Sequence, residues 1–169
     1  MLRVLTAGIA VALCLSGCGG SSVQRVPGAP HLRASDLDEV QMNMLESVND
    51  MRRLAGVAPV ALSPELSRAA AAQAADISAQ KRAWAWGSDW SSPYARIARA
   101  GYPGQLVAEL YSQSFDTELE TLTAWLQDEA WAESIRDPAA TDLGFAFHQD
   151  ASGMIWWVLT LGSRGGAAQ

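Results

Sequence analysis

Along residues 37–54, Leu37, Val40, Met44, Val48, Met51 and Leu54 recur at three- and four-residue spacing, which predicts an amphipathic helix. Ser35 stands as its N-cap, Asp36 and Asp38 fall in the first turn, and Gly56 ends it. After an extended run at 57–62, Ser63, Pro64 and Glu65 supply a cap, a proline at the first helical position and an early acid. They open an alanine-rich helix reaching to about Arg82, whose small side chains let a neighbouring element approach closely. The period breaks at 83–90, a loop carrying three tryptophans, and Ser92-Pro93 then starts a short helix through Ile97 that ends before Gly101. Residues 106–111 read as a buried strand. Ser114, Phe115 and Asp116 begin a further helix with Leu119, Leu122, Trp125 and Leu126 on one face; a shorter helical piece covers 130–135, and Pro138 ends it. Strand-like runs at 143–148 and 154–161, separated by the turn chemistry of 149–153, predict an antiparallel hairpin.

The N-terminal pattern is of a different kind. Arg3, an apolar run at 4–15 and the small residues Ser16 and Gly17 lead to Cys18, the arrangement of a lipoprotein leader with Cys18 as the lipidation site. The run is too short to span a hydrocarbon core of about 30 Å. Residues 1–17 are therefore expected to leave as a signal peptide and 18–34, mixing Gly, Ser and Pro, to tether the lipid to the fold. One domain is expected at 35–162 and a disordered tail at 163–169. The membrane, reached through lipidated Cys18, is the first partner this implies. Gly19 and Gly20 place no acid behind the cysteine, which favours the outer membrane if the host is diderm.

Composition narrows the partners. The chain of 169 residues carries 12 basic and 18 acidic side chains, and loss of the leader removes only Arg3, leaving a net charge of −7. Nucleic acid is excluded as a natural partner by that balance, and Lys81, the only lysine, has no basic cluster around it. Cys14 leaves with the leader and Cys18 takes the lipid, so no cysteine remains for a disulfide and packing alone must hold the domain.

The order of these elements, with their motifs, resembles the CAP superfamily, the SCP-like extracellular domains, in its short bacterial form. Residues 44–56, then Leu62-Ser63-Pro64-Glu65-Leu66 and the alanines behind it, look like the family's first two helices. Ser91-Ser92-Pro93-Tyr94-Ala95-Arg96-Ile97 with Ala100-Gly101-Tyr102 is similar to the segment after the family's first histidine. Asp142-Leu143-Gly144-Phe145-Ala146 and Trp156-Trp157-Val158-Leu159-Thr160-Leu161-Gly162 resemble its last hairpin. The resemblance implies an α/β fold, a three-layer α/β/α sandwich with a small antiparallel sheet. It also implies a cleft that, when complete, holds two histidines and two acids and binds a divalent metal in some members. Here Glu109, in Ala108-Glu109-Leu110, stands where the family has Gly-Glu-Asn, and Asp128, three residues after Trp125, takes the place of the second acid. Ala85 or Trp86 falls at the first histidine and Trp131 at the second, so both imidazoles are lost.

Those substitutions set the functional expectations. His31 lies in the tether and His148 beside the hairpin turn, which leaves no imidazole for a metal site; no metal and no cofactor are expected. No Gly-x-Ser-x-Gly elbow is present for a nucleophilic serine. Glu109 and Asp128 could act as the carboxylate pair of an envelope hydrolase. Their plainer readings are a remnant acid bonded to backbone amides at a helix start and a solvated residue at a helix end. Trp84, Trp86, Trp90 and Trp131 gather around the lost histidine positions, either as an aromatic platform with Glu109 for a glycan, peptide or lipid, or as further core rings like Trp125, Trp156 and Trp157. The expected function is a binding or scaffolding module in the cell envelope, with the hydrolase and a lipid carrier as alternatives.

Overall fold

The computed structural model describes residues 31–165; the leader, Cys18, most of the tether and residues 166–169 lie outside them. A 3-10 turn, Ala34–Asp36, leads into α1 (Leu37–Leu54), followed by β1 (Ala61–Leu62), α2 (Pro64–Gln80), α3 (Pro93–Arg99) and β2 (Gln105–Gln113). Then come α4 (Glu118–Gln127), α5 (Glu129–Arg136), β3 (Asp142–Gln149) and β4 (Ile155–Ser163). The four strands form one sheet in the order β1-β3-β4-β2. The β3–β4 hairpin and the β2–β4 pair are antiparallel, as the turn chemistry predicts, whereas β1 joins β3 in parallel. The sheet is thus mixed rather than antiparallel throughout, because the chain between β1 and β3 passes through helices, as a parallel pair requires.

Helices cover both faces, giving the three-layer α/β/α sandwich. On one side Met44 and Val48 of α1, Leu122 and Trp125 of α4 and Ile135 of α5 pack on Leu110, Leu143, Phe145, Trp157, Leu159 and Leu161. Phe145 and Trp157 stack at 5.6 Å between centroids, and Trp125 meets Phe145 edge-on. On the other side Ala70, Ala74 and Ile77 of α2 lie against Ala146, Trp156 and Val158. Near its start α2 approaches β3 closely because Gly144 lacks a side chain: a Cβ there would collide with the α2 backbone at Leu66 and Ser67.

A buried charge ties α1 to α5 and to the segments before β1 and β3. Arg52, in the last turn of α1, is fully buried and donates to the carbonyls of Ala58, Ile135, Asp137 and Ala140 at 2.7–3.0 Å. It caps the C-terminal end of α5 and pins the segment before β3, while burial lowers its pKa.

Several expected boundaries move. Ser35 does not cap α1: its hydroxyl and the Arg33 N–H both donate to Asp36, which the preceding 3-10 turn places there. Ser63 does cap α2, accepting from the Leu66 N–H. Ser114 is no helix start; β2 runs on to Gln113, Ser114 adopts φ 76°, and Thr117 caps α4 by accepting from Glu120 N. Because β2 is the edge strand, it is half-buried rather than buried, and Leu119 points outward from α4. Order also extends past both expected limits: Leu32 N–H donates to Gln149, and at the other end Ser163 pairs with Gln105 while Arg164 binds Asp142 at 2.9 Å.

Candidate functional site

Glu109 owes its direction to a bulge in β2. Leu106 pairs with Gly162 but Ala108 pairs with Leu161, so Val107 is an extra residue and turns toward the α1–α4 layer together with Ala108. Glu109 then falls opposite Thr160 on the face covered by α3, with its side chain only 2% exposed. There it meets Arg96 of α3, itself 6% exposed, whose Nη2 donates to Glu109 Oε1 at 2.5 Å. The same guanidinium donates to the carbonyls of Ala85 at 2.7 Å and Ser91 at 3.1 Å. Burial pushes the Glu109 carboxyl up from its ordinary pKa, against the pull of the Arg96 charge and hydrogen bond. The remnant acid is therefore held by a guanidinium from a neighbouring helix, not by backbone amides at a helix start. Arg96 escaped the sequence reading; its one signal was a basic residue beside Ile97, the apolar anchor of a very short helix.

Asp128 has a different task. It is exposed and N-caps α5, Oδ1 accepting from the backbone of Ala130 at 3.0 Å and Trp131 at 3.2 Å. No hydrogen bond and no shared partner joins it to Glu109 among the described residues. The reading of Asp128 as a helix-end residue holds, with the end being an N-terminus.

The four tryptophans divide. Trp131, the residue the resemblance puts at the second histidine, packs edge-to-face on Trp125 at 6.0 Å and Tyr111 at 6.2 Å and lies half-buried against the main core. Trp84 is half-buried against the α2 cluster, donates from Nε1 to Gln80 at 2.9 Å, carries the Arg82 guanidinium 3.9 Å over its ring and meets Trp90 edge-on at 6.2 Å. Trp86 and Trp90 are 46% and 75% exposed. Ala85, which the resemblance offers beside Trp86 for the first histidine, accepts from Arg96 through its carbonyl.

The loop bearing these rings is braced from both sides. From α2, Gln73 donates to Trp84 O, Gln80 donates to Trp86 O, and Asp76 accepts from Ser88 N at 2.7 Å. From α3, Arg96 holds Ala85 and Ser91, and Arg99 pairs with Asp89 at 2.8 Å. Hydrogen bonds from Ser91, then from Arg99, bring the Asp89 carboxyl down to about 2. Across the tip, Trp90 N–H donates to Gly87 O and Gly87 N–H to Ser91 O, both at 2.9 Å. A Cβ on Gly87 would meet Ser91 Oγ at 2.5 Å and Asp89 Oδ1 at 2.7 Å, so a larger residue there would displace the side chains that bond the tip. Trp90 itself sits at φ 61°, a left-handed conformation costing a bulky residue about 1–3 kcal/mol, and its exposed ring recovers little of that by burial. Between α2, α3 and this loop lies a cavity of about 530 Å³, lined among others by Ala72, Gln73, Ser88, Arg96 and Arg99.

His148 is exposed on β3 and His31 is exposed ahead of the first turn. Among the described residues no group of three or more His, Cys, Asp or Glu side chains is placed to hold a metal ion. None of the described helices is long and apolar enough to cross a membrane.

The profile of the cysteine-rich secretory protein (CAP) family matches residues 45–161, well over half of the chain. Comparison with curated proteins finds no match. Among solved structures, an outer surface protein from Borrelia burgdorferi is 14% identical with a TM-score of 0.67, over 73% of this chain and 92% of that one. An extracellular protein containing an SCP domain from Bacillus anthracis gives 0.70 at 13% identity, over 79% of this chain and 45% of its own. A cysteine-rich secretory protein from Staphylococcus aureus gives 0.60 at 12% identity, over 79% and 42%. The chain thus spans less than half of the latter two.

Proposed function

The chain belongs to the cysteine-rich secretory protein (CAP) family, and on that premise we propose that it is an envelope lipoprotein whose domain binds rather than catalyses. In this reading Cys18 carries the lipid, the outer membrane is the destination in a diderm host, and no metal or cofactor takes part. The braced loop with Trp84, Trp86 and Trp90 is the binding element, taking an envelope glycan, peptide or lipid, while Trp131 serves the core.

One observation carries the reading: the Glu109 carboxylate is engaged by Arg96, and Arg96 clasps both ends of the tryptophan loop. A general acid or base must reach the proton it transfers. Glu109 is turned inward and Asp128 is engaged in capping α5, which disfavours the hydrolase. Neighbours described as outer-surface or extracellular proteins support an exported setting.

Isolated envelope fractions incubated with the chain carrying Cys18→Ala, which no lipid can hold to the membrane, test the proposal. Retention is expected for this otherwise native protein and on adding Asp128→Asn, and loss on adding Trp86→Ala/Trp90→Ala. Release of soluble glycan fragments by the native protein but not by Glu109→Gln would overturn the non-catalytic reading. Undiminished membrane association of Cys18→Ala when expressed in cells would overturn the anchor.

A further inference from the structure

The described chain enters the fold at one end of the sheet. Leu32 N–H donates to Gln149 at 3.1 Å, which sets this part of the chain beside the β3–β4 turn. The tryptophan loop lies at the same end. Lys81, which closes α2, pairs with Asp150 of that turn, and Trp84 and Met154 both pack against the cluster that holds Trp156, near the start of β4. Trp90 in turn meets Trp84 edge-on at 6.2 Å. With Cys18 lipidated, as proposed above, the anchor stands fourteen residues ahead of Leu32, and an extended chain of that length spans at most about 50 Å. The bilayer is thus within reach of the end that carries the loop.

The loop has the make-up of an interfacial contact. Trp86 and Trp90 are its exposed rings, and indoles settle at the headgroup level of a bilayer, where an apolar body and a polar N–H are both served. In the free domain the left-handed backbone of Trp90 is offset by little burial of its ring; insertion would supply that burial. Two cations stand directly ahead of the rings, Lys81 and the exposed Arg82, whose guanidinium lies 3.9 Å over Trp84. The one acid of the loop, Asp89, is paired with Arg99, so docking brings no uncompensated carboxylate of the loop to the lipid.

We propose that residues 84–90 dock on the lipid surface that holds Cys18, with Trp86 and Trp90 entering the headgroup layer and Arg82 beside them at the phosphates. The proposal deepens the binding reading above and rests on it and on its anchor: among the ligands open to the loop it selects lipid, as a bilayer surface. A glycan or peptide ligand would not require loop and tether to share one end of the fold, whereas a second contact with the anchoring membrane does. Once Cys18 is inserted the docking is intramolecular, so a contact too weak to hold the free protein suffices. With 18 acidic against 12 basic side chains the chain as a whole is not drawn to an anionic surface, so the rings carry the contact.

The test reconstitutes the lipidated full chain into phosphatidylcholine vesicles containing brominated phosphatidylcholine and reads tryptophan fluorescence on the floated vesicles. Quenching is expected, stronger with bromine high on the acyl chain than with bromine near its end, and lost in Trp86→Ala/Trp90→Ala with the melting temperature unchanged. Leu54→Ser is the control: Leu54 is exposed at the far end of α1, where Arg52 binds Ala140 ahead of β3, and its loss should leave the quenching intact. Replacing part of the lipid by phosphatidylglycerol should not strengthen it. No quenching of the native protein, quenching kept by the double variant, equal loss in Leu54→Ser, or a marked gain with phosphatidylglycerol each overturns the docking. If quenching is absent while retention on envelope fractions still depends on Trp86 and Trp90, the lipid surface is wrong and the binding module survives with a glycan or peptide ligand. If neither is seen, both fall, and a native protein that does not float with the vesicles removes anchor and docking together.

Discussion

Replacing Arg96 by methionine isolates what the clasp contributes. The substitution keeps an unbranched stem of similar reach but removes three hydrogen bonds, to Glu109, Ala85 and Ser91, and leaves the Glu109 carboxylate 2% exposed without a counter-charge. Breaking a buried pair by taking away one partner costs about 3–5 kcal/mol, and the two loop carbonyls add about 1 kcal/mol each where water cannot replace the donor. The cost must depend on pH. Without Arg96, burial alone acts on Glu109 and its folded pKa rises further above the unfolded value of about 4.3. Between those two values the folded state holds the proton more tightly than the unfolded chain, so stability is complete below the unfolded pKa and is lost as pH rises to the folded one. Urea unfolding followed by tryptophan fluorescence should therefore show Arg96→Met closer to the native protein near pH 4 than at pH 7. Removing the carboxylate as well, in Arg96→Met/Glu109→Leu, should recover part of the loss at pH 7 and abolish its pH dependence. An equal penalty at both pH values, or a double variant less stable than the single one, would show that the ion pair does not govern this site.

Three further outcomes follow from the geometry. Arg52→Met leaves four carbonyls without their donor, two of them reached by fully buried bonds, and should cost more than about 3 kcal/mol in urea unfolding; a loss under about 1 kcal/mol would contradict its role as the α5 cap. Trp90→Gly removes an exposed ring from a left-handed position and should match or exceed the native melting temperature while abolishing envelope retention of the Cys18→Ala chain; marked destabilisation would mean the ring is a packing element. Asp150 sits in the hairpin turn, where burial alone would raise its pKa, but hydrogen bonds from Lys81, Ser152 and Trp156 outweigh that and hold it far below the usual carboxylate range. Its stabilisation is present above the unfolded pKa and fades as pH falls through the folded one. Asp150→Asn should then melt lower than the native protein at neutral pH and converge with it in acid, and a constant offset would refute the assignment.

What could be read from the sequence follows from which interactions are local. The α1 and α2 periods, the Ser63 cap and the 149–153 turn each act over a few residues and stand in the structure, except that Leu54, at the end of the α1 period, is 80% exposed while Arg52 is buried. The end of β2 did not, because whether Ser114 continues a strand or begins a helix depends on Ile155 across the sheet, to whose carbonyl its N–H donates. Arg96 and Arg52 were passed over because a basic residue at the end of a helix normally points to water, and these two are held instead by groups outside their own helices, 5 to 13 residues away for Arg96 and up to 88 for Arg52. The tryptophans show the limit most clearly. Trp84, Trp86, Trp90 and Trp131 are equivalent in composition, and only the third dimension puts Trp131 in the core and Trp90 in solvent.

The clasp also accounts for how an acid is held at position 109, where its side chain is turned inward. Left alone, a carboxylate on this strand would face the desolvation cost of burial with nothing to offset it. Arg96 supplies the offset: at an effective dielectric of about 20, opposite charges 4 Å apart attract by about 4 kcal/mol, and this pair is closer. The dependence is mutual. A guanidinium can hold Ala85 and Ser91 in place only if its own charge is compensated where water is excluded, and Glu109 is the one carboxylate that reaches it among the described residues. Glu109 thus acts as the positioning residue for the tryptophan loop. Glu109→Gln should accordingly loosen the loop before it unfolds the domain: faster backbone hydrogen exchange confined to residues 85–91, with the core strands unchanged, is the expected signature. Unaltered exchange in that loop would break the link between the retained acid and the aromatic platform.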